Sequence, residues 1–159
     1  MAVSGYFDHG VEPAPYVEAR VYLPRLQTVG KVELLLDTGS NITTIHPRDI
    51  VDMGIRSSDL GQEHFVVASI GGSVRLSQET ARVSLYDRDL GAWRYFTIRI
   101  ALSLPDDPQE AAAARGFPSL LGRDILNRCR CVLDHSQRSV ALEPFASDDS
   151  IAFALPRPL

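Results

Sequence analysis

Asp37-Thr38-Gly39-Ser40 is the stretch of the sequence best suited to chemistry. It follows the apolar run Val32-Glu33-Leu34-Leu35-Leu36, which reads as a buried strand, and Thr38 and Gly39 bend the chain directly after the acid. One carboxylate is thereby set at the mouth of a turn. The plainer interpretation is an ordinary Asp/Gly turn, since these are among the commonest turn residues. Phosphoryl transfer also uses an Asp near Thr-Gly, but the ion-pump form of that motif has Lys directly after the acid, where Thr38 stands here.

Other reactive residue types form no comparable group. Asp134-His135-Ser136 holds the residues of a hydrolase triad, yet three consecutive side chains in a tight turn cannot point at one another in a relay, so it reads as a turn. His9, His46, His64 and His135 lie far apart and lack the spacing of zinc ligands, and no metal is expected. The pairs Asp106-Asp107 and Asp148-Asp149 fall in connections and read as solvated or capping.

The elements that must position Asp37 are mostly strands. Tyr16 to Leu23 alternates, with Val17, Ala19, Val21 and Leu23 on the buried side, and a turn over 24–31 carrying Gly30 returns the chain as the strand Val32 to Leu36. The two form a hairpin. Ile42 to Ile45 is short and β-branched, and Pro47 opens a brief helix over 47–53 that Gly54 closes. His64 to Ala68 and Ser73 to Gln78 are β-rich arms around Ile70-Gly71-Gly72, a hairpin tip that needs glycine's backbone freedom. Thr80 to Tyr86 continues the β pattern, and Trp93 to Leu102 puts Phe96, Ile98, Ile100 and Leu102 on one face.

A small helix follows, with Asp107 as cap, Pro108 at its first position and Glu110 placed for a capping box. Leu120-Leu121-Gly122-Arg123-Asp124-Ile125-Leu126 begins apolar and ends with helical spacing. Cys131 to Leu133 and Ser139 to Leu142 form a last hairpin. The expectation is a mainly β protein with short helices, with a leader at 1–15, one domain at 16–143 and a tail at 144–159 that is a disordered end or an added interface strand in preference to a segment occupying the cleft.

With 159 residues, 45% hydrophobic and 23% charged, the chain has the size and composition of one globular domain. A net charge of -4 with 16 scattered Lys and Arg leaves no basic field, so nucleic acid is not an expected partner. No run reaches the ~18–20 apolar residues of a membrane span. The segment Met1 to Gly10 lacks the basic start and apolar centre of a signal peptide. Cys129 and Cys131, the only cysteines, are not expected to pair with each other. A reducing cytoplasm fits these features.

Three motifs now stand in order: apolar strand to Asp37-Thr38-Gly39-Ser40, the Ile70-Gly71-Gly72 tip, and Leu120-Leu121-Gly122-Arg123-Asp124 opening a helix. Together, over residues 16–143, they resemble the retropepsins, the single-lobe aspartic proteases of retroviruses and their cellular relatives. The helix after Pro47 and the hairpin after Cys131 look more like cellular members such as the protease domain of the DNA-damage-inducible proteins. The resemblance implies a closed, barrel-like lobe in which Asp37, Thr38 and Gly39 form the catalytic turn. Ser40, Asn41, Ser69, Ile70, Gly71 and Gly72 would then contact substrate from the site loop and the flap, and Gly122, Arg123 and Asp124 would support the site from behind. Asn41 stands where many retroviral enzymes carry an acid, so the resemblance implies that an ion pair to Arg123 becomes a weaker hydrogen bond or that Arg123 finds another partner.

The same resemblance implies a reaction: two carboxylates held together share a proton, and one activates water while the other donates to the scissile carbonyl. No metal or cofactor is needed. The sequence holds one Asp-Thr-Gly, so the implied enzyme is a homodimer in which Asp37 meets its own copy, acting on a polypeptide. The alternative is a dimeric peptide-binding or scaffolding module that keeps the fold with little turnover.

Overall fold

The computed structural model describes residues 2–61, 64–69, 72–105 and 107–148. Ile70, Gly71, Asp106, Asp149 and the rest of the expected tail lie outside the described residues.

The strands are β1 (Val3–Phe7), β2 (Pro15–Leu23), β3 (Thr28–Leu36), β4 (Thr44–Ile45), β5 (His64–Ser69), β6 (Gly72–Asp87), β7 (Ala92–Leu102), β8 (Ser119–Leu121), β9 (Cys129–Asp134) and β10 (Ser139–Pro144). The helices are α1 (Pro47–Asp52), α2 (Pro108–Ala114) and α3 (Arg123–Leu126), with a 3-10 turn at Ser57–Asp59. Antiparallel pairs join β2 to β3, β6 to β7 and β6 to β2, while β8 pairs antiparallel with β4 and parallel with β3. The parallel contact of β4 with β7 completes a ring of β2, β3, β8, β4, β7 and β6. The fold is therefore mainly β and nearly barrel-shaped, as the sequence leads one to expect.

Alternation builds its interior. Val17, Ala19, Val21 and Leu23 of β2 are all fully buried, and so are Phe96, Ile100 and Leu102 of β7. Ala81, Val83 and Leu85 of β6 meet them, with Leu34, Ile45, Ile50, Leu121 and Ile125 closing the same core. Burying a side chain of this size contributes about 1.5–3 kcal/mol. The position of β3 is therefore fixed by its inward residues, and the acid that follows it is fixed in turn.

Two connections differ from expectation. Gly30 is not in the turn: β3 starts at Thr28, the turn is confined to 24–27, and Gly30 pairs with Val21 inside the strand. Glycine is required there by packing, since a Cβ would stand 2.3 Å from Met53 Cγ. The expected leader is not separate from the domain: its residues Val3–Phe7 form a strand that pairs with β10 and β2, which joins it to the sheet. Gly5 permits this, because a Cβ would meet the Tyr16 carbonyl oxygen at 2.3 Å.

The remaining joints keep the expected end residues, but among the described residues Glu110 forms no capping box at α2. Pro47 is the first residue of α1, and Gly54, at φ +72, ends it in a conformation that costs glycine least. Asp107 caps α2 by accepting from the Gln109 N–H. Cys129 and Cys131 are both free thiols, and burial pushes the Cys129 thiol up to about 12. No helix among the described residues is long and apolar enough to cross a membrane.

Candidate active site

Asp37 leaves the end of β3 with its N–H donated to the Leu121 carbonyl of β8 at 3.1 Å. The parallel pairing of Leu34, Leu35 and Leu36 with Ser119, Leu120 and Leu121 sets that contact. Two of the sequence motifs, whose glycines Gly39 and Gly122 are 83 residues apart, thus become neighbours through a short parallel ladder. The Asp37 side chain is half-buried, and its Oδ1 accepts from the Gly39 N–H at 2.8 Å. A Cβ on Gly39 would lie 3.1 Å from that oxygen, closer than an ordinary contact, so the small residue is what permits the approach. Asp37 Oδ2 has no hydrogen bond among the described residues.

The loop beyond the acid is held from outside itself. The Ser40 carbonyl accepts from the Arg123 N–H at 2.9 Å, and the Arg123 guanidinium donates to Asn41 Oδ1. Asp124 accepts from both the N–H and the hydroxyl of Thr43, at 2.8 and 2.7 Å. The Thr43 hydroxyl in turn accepts from the Gly122 N–H at 3.1 Å. Gly122 presses directly on the loop: a Cβ would be 2.4 Å from the Ile42 carbonyl carbon and 2.7 Å from the Thr43 nitrogen. Gly122, Arg123 and Asp124 therefore brace residues 40–43.

Within the loop, Ser40 Oγ donates to the Ile42 carbonyl at 2.8 Å. Ser40 and Asn41 are thus both engaged inside this chain. Thr38 and Gly39 are exposed, and the Thr38 hydroxyl makes no hydrogen bond among the described residues. Ser69 and Gly72 face each other as the last described pair of the β5–β6 hairpin. A cleft of about 460 Å³ lined by Arg25, Gly54, Ile55 and Asp59 includes none of residues 37–41 or 122–124.

Sequence reasoning missed three buried polar residues that carry this arrangement. Thr43 is fully buried and central to the lock, but in sequence it is one β-branched residue among several. Ser119 and Asp49 are also buried; Ser119 Oγ donates to Asp49 Oδ2 at 2.5 Å and accepts from the His46 N–H at 3.0 Å, tying β8 to α1. His46 lies beside them, half-buried, and burial holds its pKa below the usual histidine value. The expectation for Asp148 needs correction. It is not simply solvated: it accepts from the Thr97 N–H at 2.5 Å and pairs with Arg128, which holds its carboxyl below the ordinary value.

The ring of strands, with an acid leaving the end of β3 and its loop braced by the Gly-Arg-Asp start of a short helix, has a retropepsin-like fold. A retropepsin-like aspartic protease from Rickettsia conorii aligns over 89% of this chain and 90% of its own, with a TM-score of 0.53 and 16% identity. The EIAV protease, solved in complex with the inhibitor HBY-793, aligns over 76% of this chain and 91% of its own, with a TM-score of 0.42 and 16% identity. No protein-family model and no curated protein matches the sequence. The chain thus shares its fold with retropepsin-like proteases at low sequence identity.

Proposed function

We propose that this chain is one half of a homodimeric aspartic endopeptidase. The observation that carries the reading is the state of the Asp37 turn: the loop is locked by Thr43, Gly122, Arg123 and Asp124, and the acid keeps one oxygen without a partner among the described residues. A carboxylate that gives its own loop one hydrogen bond, through one oxygen, can hold a proton on the other.

One chain has one Asp-Thr-Gly, so a symmetric pair supplies two carboxylates. Side by side they share a proton; one takes a proton from water as it attacks the scissile carbonyl, and the other donates to that carbonyl oxygen. Thr38 and Gly39, exposed beside the acid, fit a surface that a second copy covers. The β5–β6 hairpin, whose last described pair is Ser69 and Gly72, would add main-chain hydrogen bonds to an extended polypeptide. This chemistry requires no metal or cofactor.

The test uses a diverse peptide pool read by mass spectrometry, beside light scattering to measure oligomeric state. The expected result is a dimer whose cleavage products disappear with a pepsin-type inhibitor and in Asp37→Asn, with the dimer kept. Substantial cleavage by Asp37→Asn would sink the reading. A dimer that binds peptides without cleaving them would identify a peptide-binding module instead.

A further inference from the structure

One guanidinium ties together both legs of the β5–β6 hairpin where it leaves the barrel. Arg25 stands in the turn between β2 and β3. Its Nε lies 2.9 and 3.0 Å from the two carboxylate oxygens of Glu79, and its Nη2 also donates to Oε1. The same Nη2 donates to the Asp59 carbonyl at 2.7 Å, and Glu79 Oε1 accepts from the Gly61 N–H at 3.4 Å. Glu79 lies on β6 two residues beyond Ser77, where pairing with β5 ends and pairing with β7 begins. Asp59 and Gly61 lie just before β5. The bonds converge on the root of the hairpin from both sides.

The burial of Glu79 gives this arrangement meaning. Its side chain is 6% exposed, while Arg25 is half exposed at 50%. Taking a carboxylate out of water is costly, and a buried ion pair is often no more stabilising than apolar residues of similar volume. What the pair supplies that apolar residues cannot is direction, because the guanidinium fork fixes the angle of its partner. All four of the guanidinium's contacts, three to Glu79 and one to the Asp59 carbonyl, are to segments that enter or leave the hairpin.

We propose that Arg25 is a positioning residue, which through Glu79 and the Asp59 carbonyl sets the direction in which the β5–β6 hairpin leaves the barrel and hence its hold on an extended peptide. This rests on the endopeptidase reading through the hairpin's engagement of substrate. Loss of the pin weakens peptide capture rather than the reaction at Asp37.

The discriminating variant is the double replacement Arg25→Met with Glu79→Leu, made in the full chain beside Arg25→Ala and Glu79→Gln. Thermal unfolding, hydrogen exchange of residues 64–69 and 72–77, and KM and kcat on a cleaved peptide are measured. Arg25→Ala unfolds at lower temperature because it strands a buried charge. The double variant regains the thermal midpoint, but its hairpin exchanges about tenfold faster and its KM rises about tenfold with kcat within about twofold, the scale of one lost charge-assisted hydrogen bond. Exchange in β2 and β3 stays unchanged. Glu79→Gln, which keeps an acceptor, gives a smaller rise in both, and carries the test if the double variant does not fold. Wild-type KM and hairpin exchange in the double variant, or in Glu79→Gln if only that folds, would overturn the proposal. A wild-type protein that cleaves nothing overturns the endopeptidase reading alone, and hairpin exchange still decides whether Arg25 positions the hairpin.

Discussion

Two of the turns that begin with an aspartate at the end of a strand use the carboxylate in opposite ways. Asp134 closes the β9–β10 hairpin by itself: its Oδ1 accepts from the Ser136 N–H, the Ser136 hydroxyl and the Gln137 N–H, at 2.9, 2.6 and 3.0 Å. Asp37 accepts one N–H, from Gly39, and the loop that follows it is held by a second acid, Asp124, acting on Thr43. In the outer hairpin the acid is consumed by structure. In the inner one, structure is assigned to a neighbour and the acid is left accessible.

The strongest way to break this contrast is to neutralise each acid in turn. With Asp37→Asn, peptide cleavage falls by about 10³-fold or more, in line with the loss of a general acid–base group, while the protein still folds. With Asp134→Asn, kcat/KM stays at the wild-type level. Equal losses in the two variants would show that neither turn is special.

The next effect concerns the residue that does the locking. Asp124→Ala leaves the Thr43 N–H and hydroxyl without acceptors in a buried setting, which costs about 2–4 kcal/mol. Calorimetry should then give a thermal midpoint lower by roughly 5–15 °C for a domain of this size. Gly122→Ala forces a Cβ against the Ile42 and Thr43 backbone and costs about 1–3 kcal/mol as overpacking. Because the displaced atoms belong to the loop after Asp37, denaturant melts and cleavage assays should both register this variant. A fully active, fully stable Gly122→Ala would mean that the loop is not braced there.

What the sequence made legible was whatever local periodicity and turn chemistry encode. The alternation of β2 and β7, Pro47 and Gly54 at the ends of α1, and the Asp107 cap all appear where residue types place them. The location of the acid was legible because an apolar run has to end before a bend. The lock was not, because Thr43 and Asp124 are 81 residues apart and meet only through the pairing of β3, β4 and β8. β1 was hidden for a related reason: Val3 to Phe7 has no extended alternation, and its partners Leu142 and Tyr16 lie far along the chain or across a turn. Gly30 was misplaced because glycine serves both turns and close packing, and Met53, which decides between them, is distant in sequence.

The smallest effect is electrostatic and sits in the outer turn. The bond from the Ser136 hydroxyl, with help from the Gln137 and Ser136 N–H groups, holds the Asp134 carboxyl below its ordinary value of 3.8. A depressed acid contributes stability above its unfolded pKa and loses that contribution as the pH falls through its folded pKa. Asparagine keeps an acceptor oxygen but carries no charge at any pH. The thermal midpoint of Asp134→Asn should therefore lie slightly below wild type at about pH 6 and converge with it as the pH falls through the folded-state pKa of Asp134. A gap that stays constant across that range would show that the turn depends on the geometry of the oxygen and not on its charge. The turn of Asp134 would then differ from that of Asp37 only in the number of donors it gathers.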